Sequence, residues 1–532
     1  MLVAAAGCAR DGGACGSRCG TAVIVINGAP DVLVPAFSRS DIGLWIGDQL
    51  FLRLADPRPD GTTAGDSGFV GRLAESWVVE DSLTLVFHLD PRARWHDGTP
   101  VTASDVVFSF DLYRDTLAGA SSGPQLRRLA AVTARDSLTV AIRFAERSVE
   151  QFFDATHHVR VLPAHLLDTV PTDRIAQHPF GRSPVGNGPY RFVRWAGDIV
   201  ELEADSTFFL GAPDIARLIW RVTPDPTAAV TTLLGRDADI HPRLGGPEDE
   251  ARLAASPDFR VLEYPSLSYV YLSFNLRQPP FSDRGLRQAL ALAIDRDAIV
   301  ATVLAGHGAV PRGPISPGVW AWTDSLRQLP FDSAAARERL NELGWRDTDG
   351  DGVRDRQGRA LAFDLLVPSS SLHRTRTAVI MQEQFRRLGV AVRIVELENN
   401  AFYDRYEGGQ YVAALGGRFV DPTPAGLLEF WTTQAIEHGY NAEGYRSARF
   451  DSLAWAAAGA RDLPTARRLW HAAIATLNAD APGVWLYTPT RVAAVHARFQ
   501  AVTLMPENWH TLLWTWRLDR DRLLPRDHVA PR

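Results

Sequence analysis

The chain of 532 residues contains no lysine, and all 56 of its basic residues are arginines. A P-loop needs a lysine to reach the phosphates of a nucleotide, and a Schiff base needs a lysine amine. The sequence therefore excludes a Walker-type nucleotide site and lysine-based covalent catalysis. The net charge of -6 gives no excess of basic residues, which argues against a nucleic-acid partner.

Cysteine is almost as scarce, since the chain has only Cys8, Cys15 and Cys19. No thiol follows Cys19, so the body of the chain has neither a disulfide nor a cysteine nucleophile. Three cysteines also exclude a four-cysteine zinc site. In an oxidising compartment, Cys15 and Cys19 are close enough in sequence to pair.

Several motifs that carry catalysis are also missing. There is no G-x-S-x-G elbow, no H-E-x-x-H and no glycine-rich phosphate loop after a strand. His157 and His158, with His165 nearby, offer metal-ligating nitrogens, but adjacent residues of a strand point to opposite faces and rarely share one ion. The sequence thus predicts a protein that is not an enzyme, with no cofactor.

The first eight residues, MLVAAAGC, form a short apolar run of small residues that ends at a cysteine. This run resembles the end of a bacterial lipoprotein signal, in which the cysteine is lipidated and becomes the new N-terminus. The resemblance implies lipidation at Cys8, with residues 1–20 as signal remnant and tether. No later stretch approaches the ~18 apolar residues of a membrane span, so we expect attachment by a lipid anchor alone.

Strand and helix patterns alternate along most of the chain, which is typical of α/β layers. The strand predicted at 268–275 places Tyr269, Tyr271 and Ser273 on one face. Asp41 is predicted to cap a helix that begins after it. Further strands are predicted at 74–79, 83–89, 191–195, 199–204, 218–223 and 259–264, and helices at 283–294, 296–305, 333–343 and 374–388.

The strongest ion-binding pattern is an acidic run in the second half of the chain. Asp347, Asp349, Asp351 and Asp355 occupy positions 1, 3, 5 and 9 of an EF-hand-like calcium loop. Position 12, where such loops place a bidentate glutamate, is Gly358. The run predicts either a structural calcium site that lacks two oxygens or a tight Asp-Gly turn without an ion.

The most specific signal is a set of sequence blocks in a fixed order. They are LAESWVVEDSLTLVFHLDPRARWHDGTPVTASDVVFSF within 72–110, GNGPYRF at 186–192, SFNLRQPPFSDRGLRQALALAIDRDAI at 273–299, ARERLNELGW at 336–345, LGVAVRIVEL at 388–397 and Asp421-Pro422. Together they resemble the family 5 extracellular solute-binding proteins of ABC importers, the peptide and nickel group. The resemblance covers about residues 21 to 518.

This resemblance implies an α/β fold of the periplasmic-binding-protein type, a bilobal clamshell with an extra domain and mixed sheets flanked by helices. Ligand is expected between the lobes, with hinges near Pro184–Pro189 and Tyr264–Ser273, and closure would bury it. The implied segments are 21–55, 187–268 and 500–525 for domain I, 56–186 for domain II, and 269–499 for domain III.

The resemblance also implies binding residues, and here the chain departs from the family. Peptide-binding relatives carry W-x-x-D-Y-x-D-P, whose first aspartate pairs with the peptide amine. This chain has Arg418 at that position, which reverses the charge, so the amine site is not carried over. Arg418 either contacts ligand or pairs with a neighbouring carboxylate or solvent. The candidate ligand-binding residues are Arg418, Phe419, Asp421, Tyr269, Tyr271 and Asn275.

Two functions are compatible with this sequence. The first is an extracytoplasmic monomer in the periplasm or on the outer face of the cell membrane. It delivers an oligopeptide or similar-sized solute to ABC permease and ATPase subunits on other chains. The second is a receptor of the same fold that feeds a sensor or scaffold. A non-peptide anionic or glycan ligand is the alternative to a peptide. A secreted hydrolase is disfavoured by the missing catalytic motifs.

Overall fold

The computed structural model describes residues 19–59, 61–120, 123–438, 440–506 and 508–528. The strands in this part of the chain are β1 (Cys19–Ile26), β2 (Ala55–Pro57), β3 (Phe69–Gly71), β4 (Ala74–Asp81), β5 (Thr84–Leu89), β6 (Leu129–Ala134), β7 (Thr139–Phe144), β8 (Tyr190–Ala196), β9 (Ile199–Ala204), β10 (Ile215–Val222), β11 (Ile240–His241), β12 (Phe259–Pro265), β13 (Ser268–Phe274), β14 (Gly308–Ala309), β15 (Asp355–Arg356), β16 (Arg359–Ala360), β17 (Ala362–Pro368), β18 (Ala391–Leu397), β19 (Ala413–Phe419), β20 (Gly483–His496), β21 (Phe499–Gln500) and β22 (Arg517–Leu518).

The α-helices are α1 (Asp41–Leu50), α2 (Ala103–Arg114), α3 (Gln151–Thr156), α4 (Ala164–Leu167), α5 (Pro226–Leu234), α6 (Pro247–Ala254), α7 (Arg284–Leu292), α8 (Arg296–Val303), α9 (Ser333–Glu342), α10 (Leu372–Arg386), α11 (Asn399–Glu407), α12 (Gly426–Trp431), α13 (Ala435–His438), α14 (Ala448–Ala458) and α15 (Leu463–Asp480). Among the described residues, no helix combines the length and apolar character that a membrane span requires. Cys8 and Cys15 lie outside the described residues, so lipidation and the Cys15–Cys19 pairing stay predictions.

A large mixed sheet runs through the molecule in the order β18-β17-β19-β13-β20-β11-β1-β10-β9-β8, and β12 and β14 also pair with β20. The long strand β20 belongs to both ends of this sheet. Its first half, up to Pro489, pairs with β13 and β14, and its second half, from Thr490, pairs with β11 and β12. The chain crosses the same boundary between β12 and β13.

Two lobes lie on either side of this crossing. The first lobe consists of β1–β12, α1–α6, the second half of β20 and the C-terminal segment. It contains a separate four-stranded sheet in the order β4-β5-β7-β6, and one hydrophobic core includes Phe87 and Phe152 beside this sheet and Trp220 and Val495 of the large sheet. The predicted hinge at 184–189 lies between these two sheets, within the first lobe.

The second lobe consists of β13–β19, α7–α15 and the first half of β20, and it has its own hydrophobic cores. One packs Phe274, Phe363 and Phe385 between the sheet and its helices, and another packs Trp431, Trp470 and other aromatic side chains on the opposite face of the sheet. Since each lobe has its own core, each is a separate packing unit.

Most helices of both lobes begin at a side-chain cap, which explains why their starts follow from sequence. Asp283, Asp295, Asp332 and Ser371 each accept a hydrogen bond from a backbone N–H in the first turn that follows. The prediction for α1 is wrong by one residue: its cap is Ser40, whose Oγ accepts from the N–H of Gly43, and Asp41 is the first helical residue.

The acidic run forms an exposed loop before β15. Carboxylate oxygens of Asp347, Asp349 and Asp351 lie within 4.8 Å of one another. Each of these three side chains also accepts a hydrogen bond from a backbone N–H of the loop itself. Asp355 instead accepts from the N–H of Thr348 at 2.9 Å. Calcium binding at this loop stays a prediction.

A fully buried arginine ties the C-terminal segment to the start of the large sheet. Arg498 Nη2 lies 2.9 Å from Asp239 Oδ1, and Arg498 Nη1 lies 2.5 Å from Asp527 Oδ2. The two carboxylates in turn accept from the backbone N–H groups of Val23 and Thr21 in β1. Because none of these charges reaches water, each depends on the others for compensation.

We expect Arg498→Met to lower the free energy of unfolding by about 3–5 kcal/mol, because Asp527 would stay buried without its cation and Asp239 would keep only Arg526. Urea unfolding at pH 7 measures the change. Arg522→Met removes an exposed arginine from the same segment and serves as the matched control, with an expected change below about 0.5 kcal/mol. Equal losses of unfolding free energy in the two variants would contradict the role of Arg498 in compensating these buried carboxylates.

Candidate functional site

The two lobes contact each other through a buried carboxylate. Glu150, which precedes α3 in the first lobe, accepts a hydrogen bond at Oε1 from Trp320 Nε1 at 3.1 Å and another from Thr423 Oγ1. Both donors belong to the second lobe. We call Glu150, Trp320 and Thr423 the interlobe clasp. A second polar contact beside it joins Thr63 Oγ1 of the first lobe to the carbonyl of Pro422.

Two carboxyl groups of the first lobe share one arginine beside the clasp. Arg128 Nη1 lies 3.9 Å from Glu150 Oε2 and 3.7 Å from Asp154 Oδ2. Burial raises the pKa of Glu150 against the opposing effect of Arg128. Burial raises the pKa of Asp154 to about 7, and the negative charge of Glu150 adds to this rise. Asp154 therefore exchanges its proton near neutral pH in this environment.

Two adjacent histidines also lie at the lobe boundary. His157 and His158 follow α3 directly and do not belong to a strand. His157 stacks on Phe153 with ring centroids 4.4 Å apart, and its Nε2 lies 3.7 Å from Asp421 Oδ1. Burial lowers the pKa of His157, and it lowers that of His158 to about 3, so both rings are neutral at pH 7. The third histidine of the group, His165, instead bonds Asp97 Oδ2 at 2.8 Å.

Asp421 is the predicted site residue that faces the first lobe. Burial between the lobes would raise its pKa, but hydrogen bonding to His157 and nearby positive charge lower it to about 2. The Asp421 side chain is 45% exposed, and it lines a cavity between the lobes. Asp421 is therefore an ionised carboxylate with room beside it.

Arg418 lies in β19 and is compensated within the second lobe. Its Nη2 lies 3.9 Å from Glu443 Oε2 and donates to the carbonyl of Tyr440 at 2.7 Å, and its Nε donates to Tyr271 OH at 3.1 Å. The hydroxyls of Tyr271 and Tyr406 each donate to Glu443 Oε1, at 2.9 and 2.8 Å. Arg418 therefore pairs with a carboxylate in this structure, and its contact with a ligand stays a prediction.

The remaining predicted residues fall into two groups. Tyr269 packs against Trp485 with ring centroids 5.7 Å apart, and Asn275 donates to the carbonyls of Gly409 and Tyr411 at 3.0 and 2.8 Å. Together with Tyr271, these side chains are buried and build the lobe. Phe419, by contrast, is 56% exposed and lines a cavity.

Three cavities follow the lobe boundary. The basic cavity, of about 270 Å³, lies between residues 243–250 of the first lobe and a wall of the second lobe that includes Arg374, Arg418 and Phe419. A second cavity, of about 280 Å³, lies between Asp154 and His158 on one side and Asp421 and Glu429 on the other. A third, of about 400 Å³, is lined by Arg53, His157, Trp320 and Met505 among others. Such concave sites between packing units are where solutes bind.

The sequence did not reveal the residues that join the lobes or the residue that compensates the charge of Arg418. Glu150 lies 170 residues from Trp320 and 273 from Thr423, and no motif marks any of them. Glu443 was missed in the same way, although the charge reversal at Arg418 indicated that some carboxylate was needed. The single sequence contains no signal that pairs such distant positions.

Comparison with known proteins agrees with this geometry. The family model "Bacterial extracellular solute-binding proteins, family 5 Middle" matches residues 68–437. The chain is 28% identical over 443 residues to the oligopeptide-binding protein AppA of Bacillus subtilis, covering 82% of this chain and 81% of that protein. It is 24% identical over 472 residues to the dipeptide-binding protein of Escherichia coli, covering 84% and 86%.

Solved structures show the same fold. The oligopeptide-binding protein AppA from Bacillus subtilis, in complex with a nonapeptide, aligns with a TM-score of 0.81 at 25% identity over 94% of this chain and 99% of that one. The substrate-binding protein CtaP from Listeria monocytogenes aligns with a TM-score of 0.84 at 23% identity over 94% and 100%. The predicted bilobal α/β clamshell is confirmed.

The prediction of a binding protein and not an enzyme is likewise confirmed, because the matching family consists of solute-binding proteins. The extracytoplasmic location agrees with the family's description. Since the family model matches residues 68–437, more than half of the chain, this protein belongs to the family 5 bacterial extracellular solute-binding proteins.

Proposed function

We propose that this protein is the extracytoplasmic binding component of an ABC importer. It captures one oligopeptide or similar-sized solute per monomer between its lobes and delivers it to permease and ATPase subunits on other chains. The observation that carries this proposal is the interlobe clasp: a carboxylate of one lobe that accepts hydrogen bonds only available when the other lobe is closed over it. Relatives described as oligopeptide- and dipeptide-binding proteins support a peptide-sized ligand.

The same proposal assigns the moving parts. Domain I is 21–55, 187–268 and 500–525, domain II is 56–186, and domain III is 269–499. The lobes would rotate about two crossings, one between β12 and β13 and one within β20 near Pro489. Because these two crossings lie side by side, they would restrict the lobes to a rotation about one hinge.

We propose Phe419 and Asp421 as ligand contacts, because each opens to a cavity at the lobe boundary. Arg418 and Tyr269 also line the basic cavity, from a buried position. Tyr271 and Asn275 act through packing, since both are fully buried.

The first test measures closure. Solute released from the purified protein by denaturation is identified by mass spectrometry and added back to refolded protein, and small-angle scattering should then show a smaller radius of gyration. An unchanged profile at saturation would contradict a clamshell.

Trp320→Phe removes one hydrogen bond of the clasp but keeps an aromatic ring at this position, so affinity for the solute should fall about tenfold. Trp322→Phe, two residues on and partly buried, is the control.

Transport and sensing give different results in the native host. Deleting the gene should abolish uptake of the labelled solute if the protein serves an importer. Unchanged uptake, together with a lost transcriptional or behavioural response, would favour a receptor of the same fold.

The second test uses the proton on Asp154. Its pKa of about 7 in the folded protein, against a usual 3.8, means that the folded state keeps a proton that the unfolded chain loses between pH 4 and 7. The folded state of the wild type should therefore lose up to about 4 kcal/mol relative to Asp154→Asn as pH rises through this range.

Urea unfolding of both proteins at pH 4, 5.5, 7 and 8 measures this difference. The unfolding free energies of the wild type and Asp154→Asn should agree most closely at pH 4, where the protonated carboxyl resembles the amide. They should diverge toward pH 7, where the variant should be the more stable protein. Asp173→Asn, an exposed carboxylate of the same lobe, should show no such trend. A difference in unfolding free energy that stays constant from pH 4 to pH 8 would contradict a protonated Asp154 in the folded state.

We further propose a lipid anchor at Cys8. In the native host, Cys8→Ala should move the protein from the membrane fraction to the soluble fraction, because no other membrane attachment is expected. Cys15→Ala should leave it in the membrane fraction. Retention of the Cys8→Ala protein on membranes would contradict the lipoprotein prediction.

A further inference from the structure

The basic cavity is lined almost entirely by one sign of charge. Four arginines line it, Arg243 from the first lobe, Arg374 and Arg418 from the second, and Arg491 from β20 where it passes between them. Glu250 is the one carboxylate among its lining residues. A cavity wall with this composition favours negatively charged groups, because protein walls screen charge less than bulk water does.

Arg243 and Arg418 are compensated from behind. Arg243 Nη1 lies 2.8 Å from Asp41 Oδ2, and its guanidinium lies 4.8 Å from the centre of the Trp45 ring. Arg418 is paired with Glu443 as described above. These contacts hold the guanidinium groups in place, while the carboxylates that balance them do not line the cavity.

Arg374 is different, since it makes no ion pair within the described part of the chain. Its guanidinium lies beside Gly417 of β19, so close that a β-carbon at that position would overlap it. The absence of a side chain at Gly417 thus provides the space in which Arg374 lies along the cavity wall. Its charge has no carboxylate to cancel it.

Arg491 lies beside this wall. Its Nη2 is 3.5 Å from Ser268 Oγ, and its guanidinium is 5.9 Å from the centre of the exposed Phe419 ring. With these two contacts, Arg491 still lines the cavity.

Glu250 does little to offset these arginines. It lies 2.9 Å from His307 Nε2, and His307 Nδ1 contacts Glu263 at the same distance. Burial raises the pKa of Glu250 against the opposing effect of His307. His373, which also lines the cavity, has its pKa lowered by burial and adds no charge at pH 7.

We propose that the basic cavity binds an oxyanion group of the transported solute, a carboxylate or a phosphate, with Arg374 and Arg491 as its direct partners. This inference rests on the proposed function and specifies the ligand of the same cleft. The planar fork of arginine matches carboxylate and phosphate oxygens in pairs. With room for about nine water molecules at ~30 Å³ each, the cavity takes a small anion or the anionic end of a longer solute.

The test uses sodium pyrophosphate and sodium citrate as probes, with sodium chloride at matched ionic strength and EDTA throughout. At least one anion should raise the melting temperature of the wild-type protein, because a ligand that binds only the folded state stabilises it. The more protective of the two probes distinguishes phosphate from carboxylate.

Arg374→Gln should weaken binding of that probe at least about tenfold, and Arg491→Gln should do the same if the first variant folds poorly. Arg376→Gln, on the exposed face of α10 two residues away, should bind like the wild type. Failure of both anions to protect the wild-type protein, or equal affinity in the Arg374 and Arg376 variants, would overturn the proposal.

The outcome is separable from that of the proposed function. If a recovered solute compacts the protein in scattering but carries no anionic group and pyrophosphate does not compete with it, the anion site is refuted while solute capture stands. If the anions bind at Arg374 and no solute closes the lobes, solute capture fails and the anion site stands.

Discussion

Every charge buried in the described part of this protein has to be compensated, and that constraint shapes both lobes and the boundary between them. An ionised group without a partner costs several kcal/mol in the interior, so buried arginines either pair with carboxylates or, like Arg287 and Arg296, donate to backbone carbonyls. Arg498 is fully buried between Asp239 and Asp527, and Asp48 lies between Arg53 and Arg160. Such clusters join segments that are hundreds of residues apart.

The charged contacts within a lobe differ from those between lobes. Inside the first lobe the distances are short, such as 2.8 Å from Arg160 Nε to Asp48 Oδ1. Across the boundary, ionisable groups meet through histidines: His157 lies 3.7 Å from Asp421, and His307 lies 2.9 Å from Glu250 and from Glu263. The clasp donors on Glu150 are neutral. Contacts of the second kind separate at lower cost, because neutral donors and partly accessible carboxylates are readily solvated. On the proposed function, this difference would let the lobes separate while each lobe stays intact.

Charge balance also links the fold to ligand choice. The peptide-binding pattern that this chain resembles has an aspartate at the position of Arg418, and in this chain Glu443 and two tyrosine hydroxyls surround the arginine instead. With Arg418 paired within the lobe, Arg374 is the arginine of that cavity wall that makes no ion pair among the described residues. The anion site proposed above rests on the charge of this wall.

Local patterns in the amino-acid sequence determined much of this architecture. Helix starts such as that of α7 follow from Asp283, and the alternation of β13 places Tyr269 and Tyr271 on one face, because capping and pleating depend on near neighbours only. The ordered blocks indicated the family, and the missing motifs indicated that no catalysis should be sought. The partner of Arg418, the clasp at Glu150 and the separation of Phe419 from Asp421 into different cavities were decided by the tertiary structure alone. These features depend on which distant segments meet when two lobes fold and close, and pairing across 170 or more residues leaves no trace in local spacing.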